Sequence, residues 1–143
     1  MRLLAFDYGT KRIGVAVTDP LQLIAGPLET IHPESIWVFL DHYLKQEEVA
    51  AFIVGKPRRL DGSESLVMPH VLGFARGLKK RYPTIELHWV DERFTSKIAT
   101  KTILDAGVSR KKRQDKGLVD TVSAVIILQS YMEQRQFNTS PKA

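Results

Sequence analysis

Four acidic residues stand where regular elements of this chain should begin or end, and they are the residues best suited to chemistry. Asp7 follows the apolar run Leu3-Leu4-Ala5-Phe6. Asp91 and Glu92 follow a second apolar run at residues 85–90, and Asp120 opens a third at residues 122–128. Carboxylates brought together repel, and they keep their charge only with a cation between them; otherwise one stays protonated. The chain has no cysteine, so an acidic cluster offers oxygen donors. Oxygen donors without thiolates suit magnesium or manganese. Two such ions hold the attacking water and the leaving oxygen of a phosphodiester. Plainer readings stand beside this one. Asp7 can form a local turn through its own backbone, and the helix dipole alone favours an Asp at the start of a helix, as for Asp120.

The absence of cysteine also excludes disulfides, thiolate catalysis and cysteine-based zinc sites. The four histidines, His32, His42, His70 and His88, lack ligand spacing and read as surface or packing residues. No Walker A pattern occurs, and no Gly-x-Ser-x-Gly supports a serine hydrolase.

The elements that must position the acids follow from the apolar pattern. Residues 3–17 read as strand, tight turn and strand, with Gly9-Thr10-Lys11-Arg12 as the turn of a hairpin. A third strand is expected at residues 23–31, where Pro27 demands an edge or a bulge. Ser35 should cap a helix over 36–46, with Trp37, Leu40, Tyr43 and Leu44 on one face. Residues 49–55 are apolar without alternation, which suits a strand buried on both faces of a parallel sheet. A polar loop at 56–65 leads to a helix at 66–81, with Pro69 in its first turn. A strand at 85–90, a helix at 95–106, a basic stretch at 109–116 and a last helix at about 117–136 complete the chain. The order predicts an α/β fold with a mixed five-stranded sheet, three antiparallel strands and then two parallel, flanked by helices. One domain over residues 1–136 is expected, with 137–143 as a flexible tail.

Charge points the same way. The chain carries +5 with a pI near 9.6, which favours a polyanionic partner. Most of that excess sits in Arg110, Lys111, Lys112, Arg113 and Lys116, a stretch of net +4 with Asp115, placed just ahead of Asp120. Such a run is either a solvated loop or a clamp that draws a phosphate backbone to the carboxylates. Arg12 and Arg93 are candidates to offset charge in a phosphoryl transition state. Asp7 and Lys11-Arg12 interrupt any signal-peptide pattern, and no apolar run reaches the length of a membrane span. A cytoplasmic protein without a membrane partner is expected.

Four motifs in order carry a family resemblance. Asp7-Tyr8-Gly9-Thr10-Lys11-Arg12-Ile13-Gly14-Val15-Ala16 matches an opening Asp-x-Gly-x-x-Arg-Ile-Gly-x-Ala. Val54-Gly55-Lys56-Pro57 with Asp61-Gly62, then Asp91-Glu92-Arg93-Phe94-Thr95, then Lys116-Gly117 with Asp120, Ala124 and Ile127-Leu128-Gln129, match the three motifs that follow. The chain resembles the YqgF/RuvX family of candidate pre-16S rRNA nucleases, related to Holliday junction resolvases, over residues 1–135. Ser123, Val125 and Phe94 are mild departures. The resemblance implies a ribonuclease-H-like fold and processing of the 16S rRNA precursor. It also implies catalytic, metal-binding acids at Asp7, at Asp91-Glu92 and at Asp120. Side chains alternate along a strand, so one of the middle pair reaches the site; Glu92 is favoured, with Asp91 the alternative.

Three other readings compete. Holliday junction resolution acts on branched DNA and needs a dimer presenting two sites. The Asp-x-Gly-Thr hairpin also resembles the phosphate loop of actin-like ATPases, which close two domains over ATP. A nucleic-acid-binding module without chemistry would leave its substrate intact with magnesium. A monomer or weak homodimer is compatible with the main reading.

Overall fold

Strand β1 (Arg2–Tyr8) is apolar toward both faces because it lies at the centre of a five-stranded sheet. The structure, a computed structural model, describes residues 1–57, 66–91 and 116–139, with the side chains of 1–57, 66–91 and 121–135. Strand β2 (Ile13–Thr18) returns antiparallel to β1, and β3 (Ala25–Ile31) pairs antiparallel with β2. On the other side β4 (Val49–Lys56) and β5 (Glu86–Asp91) add in parallel, giving the order β3-β2-β1-β4-β5. This is the expected mixed sheet. Pro27 lies on the edge strand β3, and Leu28 is the extra residue where the β2–β3 register shifts. Both devices tolerate a residue without an N–H.

Alternation along the strands sorts side chains by size. Phe6, Phe52, Val54, Ile13 and Val15 face α1 (Ile36–Gln46) and α2 (Met68–Arg81). Phe6, Phe52 and Phe74 are buried in that core among aliphatic side chains; Phe6 lies 5.7 Å from Phe52 and 5.2 Å from Phe74 between centroids. The opposite face presents Leu3, Ala5, Ala16, Ala51, Ile53 and Val90 to α3 (Lys116–Thr139). Three alanines there let α3 seat closely, through Ala124, Ile127, Leu128 and Met132. The apolar middle of α3 thus packs on the sheet, as a helix of that composition must.

Three expectations are corrected or sharpened. Ser35 makes no side-chain cap; a 3₁₀ turn at Pro33–Ser35 precedes α1, and the His32 ring nitrogen accepts from the Glu34 N–H instead. The second helix starts at Met68 rather than 66, with Pro69 in its first turn as expected. The last helix extends to Thr139, beyond the predicted residue 136. The helix expected at 95–106 and the basic residues 109–115 lie outside the described residues.

One consequence of the topology governs the rest. Strands β1, β3, β4 and β5 run the same way, so Tyr8, Ile31, Lys56 and Asp91 end at one edge of the sheet. Helices α1 and α2 begin there after β3 and β4, and α3 begins there too. At the far edge the Asp19 carboxylate accepts from the N–H groups of Leu21, Leu23 and Ile24 at 3.1, 2.7 and 2.8 Å. These bonds, the one from Ile24 foremost, hold its pKa below the ordinary value, so the loop loses this tie only as pH falls through that lowered pKa.

The hairpin turn is closed by the Gly9 N–H donating to the Arg12 carbonyl at 2.9 Å. A Cβ on Gly9 would lie 2.8 Å from that same oxygen. Gly9→Ala must therefore open the turn and should destabilise the fold by about 1–3 kcal/mol, measured by urea unfolding with an unchanged m-value.

Candidate active site

Asp7 is the next-to-last residue of β1 and is partly exposed. Leu3 and Ala5 face α3, and alternation places Asp7 on that same side. Its partner across the hairpin is Gly14, whose own partner on the next strand is Thr30. Asp7, Gly14 and Thr30 thus form one row across the sheet beneath α3, spanning about 10 Å at the usual strand spacing. Gly14 contributes no side chain, so the row is open between its two polar ends.

The start of α3 is tied to this row. The hydroxyls of Thr30 and Thr121 are 2.7 Å apart, one donating to the other. Asp120 directly precedes Thr121, so its Cα lies within about 3.8 Å of the tethered residue. Farther along, α3 is located by Tyr131 against the His88 ring at 5.1 Å and by Arg135 donating to the Gln22 side chain. The helix is thus held at Thr121, Tyr131 and Arg135, and its second turn, which contains Asp120 and Thr121, lies over the face that carries Asp7.

Of the middle acids, only Asp91 lies among the described residues. His88 and Val90 belong to the α3 side of β5, while Leu87 and Trp89 pack with the α1/α2 core. Asp91 is exposed and falls by alternation on the α1/α2 side, away from Asp7. Glu92, Arg93, Arg110, Lys111, Lys112 and Arg113 lie outside the described residues. Lys116 is the first residue of α3, and Arg12 stands partly exposed at the hairpin turn, both at the edge where Asp7 lies. Among the described residues no three of His, Cys, Asp and Glu gather as a metal cluster; Asp7 is the one candidate acid on this face whose side chain is described.

A mixed sheet in the order β3-β2-β1-β4-β5 with helices packed on it is a ribonuclease-H-like fold. Solved structures agree in fold. A Fowlpox virus resolvase bound to Holliday junction DNA superposes with a TM-score of 0.62 at 14% identity, covering 94% of this chain and 99% of that one. A Thermus thermophilus RuvC–junction complex gives 0.56 at 15% identity, covering 93% and 96%. The chain belongs to the RuvX family, whose model, described as Holliday junction resolvase, matches residues 1–134. It is accordingly a nuclease, a hydrolase acting on ester bonds. Relatives named as candidate pre-16S rRNA nucleases include one from Porphyromonas gingivalis, 51% identical over 132 residues, covering 92% of this chain and 96% of that protein. Another from Bacteroides thetaiotaomicron is 46% identical over 136 residues, covering 95% and 99%.

The Thr30–Thr121 tie was not foreseen from sequence, because the partner of an edge-strand threonine depends on a register that the residues alone do not fix. Thr30→Val and Thr121→Val should each lower stability by about 1 kcal/mol. In a double-mutant cycle the pair should cost clearly less than the two single losses together, since both remove one hydrogen bond. Full additivity in chemical denaturation would mean that the tie contributes nothing.

Proposed function

We propose that this chain is a divalent-metal nuclease that trims the 16S rRNA precursor. Its ligands are Asp7, Glu92 and Asp120. The observation that carries this reading is the shared row: Asp7 and the tethered Thr121, next to Asp120 in α3, lie on one face at one edge. The donor set fits a hard cation, since it is all oxygen and Asp7 is partly exposed rather than sealed in the core. Bound there, Mg²⁺ or Mn²⁺ would supply an activated water and neutralise charge on the leaving oxygen.

The chain's own residues do the rest. Asp7 presents a fixed carboxylate because β1 is hydrogen-bonded on both sides. Asp120 completes the site from a helix held at Thr121, Tyr131 and Arg135. Arg12 and Arg93 draw the phosphate in and offset the charge that builds on its oxygens. Arg110, Lys111, Lys112, Arg113 and Lys116 hold the backbone on either side. The names of the relatives in Porphyromonas and Bacteroides favour precursor rRNA as substrate. The family description and the resolvase folds make a four-way DNA junction the natural competitor. The protein works in the cytoplasm, where precursor rRNA is made.

The test is incubation of purified protein with labelled precursor rRNA and with a four-way junction, in Mg²⁺, Mn²⁺ and EDTA. Metal-dependent cleavage of the RNA is expected. Cleavage of the junction alone would replace the substrate, and no cleavage of either would remove the enzyme reading. Asp7→Asn keeps shape but removes a ligand charge; cleavage should fall by at least about 100-fold, while stability without metal should hold or rise as repulsion is relieved.

The basic stretch gives a separate prediction. Replacing Arg110, Lys111, Lys112 and Arg113 with Ser or Gln should leave the melting temperature nearly unchanged. The salt dependence of RNA binding should flatten by up to about four phosphate contacts. Equal slopes for mutant and wild type would show that these residues do not hold phosphates.

A further inference from the structure

A cleft of about 370 Å³ opens at the active edge, on the face of the sheet opposite Asp7. Its walls are mostly rings, Tyr8, Trp37 and Phe74 with Pro33 and Pro69, together with Ile36 and Gly73, and the exposed His70 imidazole stands at the rim. The aromatic rings form a continuous run. Tyr8 stacks on Phe74 at 5.0 Å and 28°, and Phe74 meets Trp37 at 5.6 Å and 35°. The far side of Trp37 is braced by the Arg81 guanidinium, 4.5 Å from the ring centroid. Phe74 is buried in the core, while Tyr8 and Trp37 on either side of it remain partly exposed and give the cleft its accessible ring surface. No carboxylate lines the cleft among the described residues.

Its position matters as much as its lining. Tyr8 is the neighbour of Asp7 at the end of β1, and the two side chains leave the strand on opposite faces. Pro33 and Trp37 come from the turn into α1, while Pro69 and Phe74 come from the first turns of α2. The cleft therefore belongs to the same edge as the carboxylate, reached by a chain that bends around the end of β1.

We propose that this cleft is a nucleobase subsite, taking one unpaired base of the strand whose phosphate lies at Asp7. Stacking on aromatic faces accepts any base and needs no sequence-specific hydrogen bonds. A base in a duplex is unavailable for such stacking, so the subsite selects single-stranded or unpaired substrate at the point of cleavage. Rings and prolines without a carboxylate are the surface a base seeks, and they leave its flanking phosphates unrepelled. The proposal rests on the nuclease reading only for its biological use; the binding itself requires no catalysis.

Gly73 makes a clean test possible. It lines the cleft on the exposed side of α2, and a Cβ there meets nothing within 4 Å. Gly73→Leu adds bulk at the wall of the cleft and improves helix propensity, so the fold should hold or strengthen. Binding is measured in EDTA, by fluorescence anisotropy, with a labelled 12-nucleotide single-stranded RNA and with an RNA duplex of equal length. Gly73→Leu should weaken single-strand binding roughly tenfold, the range expected for one stacked base. Duplex binding should change less than about twofold if its contacts are phosphate contacts alone. Tyr8→Leu should repeat the loss and Tyr8→Phe should retain binding, which separates the ring from the hydroxyl. Single-strand binding by folded Gly73→Leu at wild-type strength would overturn the proposal, as would equal losses for single strand and duplex. Failure of wild-type cleavage in Mg²⁺ with the base effect intact would instead remove the nuclease reading and leave the subsite standing.

Discussion

The seating of α3 on the small-residue face of the sheet is the constraint on which the site depends. Ala5, Ala16 and Ala51 allow the helix to come close, and Gly14 leaves its row without a side chain. The closeness lets two short threonine side chains meet across the interface at 2.7 Å. With larger residues at these positions α3 would stand off from the sheet, and Thr121 would separate from Thr30. The opposite face has no such requirement. It is filled by aromatic and aliphatic side chains, and α1 and α2 sit on them at whatever distance these dictate.

This division of labour also explains why one edge of the molecule gathers chemistry and the other does not. Four strands end at the active edge, so their last side chains, the hairpin turn and the starts of three helices converge there. At the far edge the Asp19 carboxylate organises a loop that leaves Leu21, Leu23 and Ile24 exposed at 76%, 69% and 74%. That loop closes the β2–β3 connection and locates the far part of α3 through Gln22 and Arg135. The helix is thus located at both edges, and its orientation over Asp7 follows.

Much of this was legible in the residues. Unbroken apolar runs in β1 and β4 marked the strands and their burial on both faces, and Pro27 marked the edge. The mixed topology followed from strand order, and the four motifs pointed to the family. Other features were not legible, for physical reasons. The phase of β5 depends on where the strand enters the sheet, and its packing, with Val90 toward α3 and Trp89 away, sets the side on which Asp91 falls. The Ser35 cap failed because Pro33 started a 3₁₀ turn first, handing the role to His32. The row from Asp7 through Gly14 to Thr30 spans three strands and is a property of register. The aromatic cleft joins Tyr8 to residues of two helices far along the chain, and each residue alone reads as ordinary core.

The central claim is that a divalent ion binds between Asp7 and the part of α3 that holds Asp120 and Thr121. Paramagnetic broadening by substoichiometric Mn²⁺ in amide NMR spectra tests it most directly. Thr121 and Arg135 are separated by about 21 Å along the helix, which gives the measurement its contrast. The account predicts that signals of Asp7, Gly14, Thr30 and Thr121 broaden first, while those of Asp19 and Arg135 persist. Broadening centred on the far edge, or spread evenly over the surface, would contradict it.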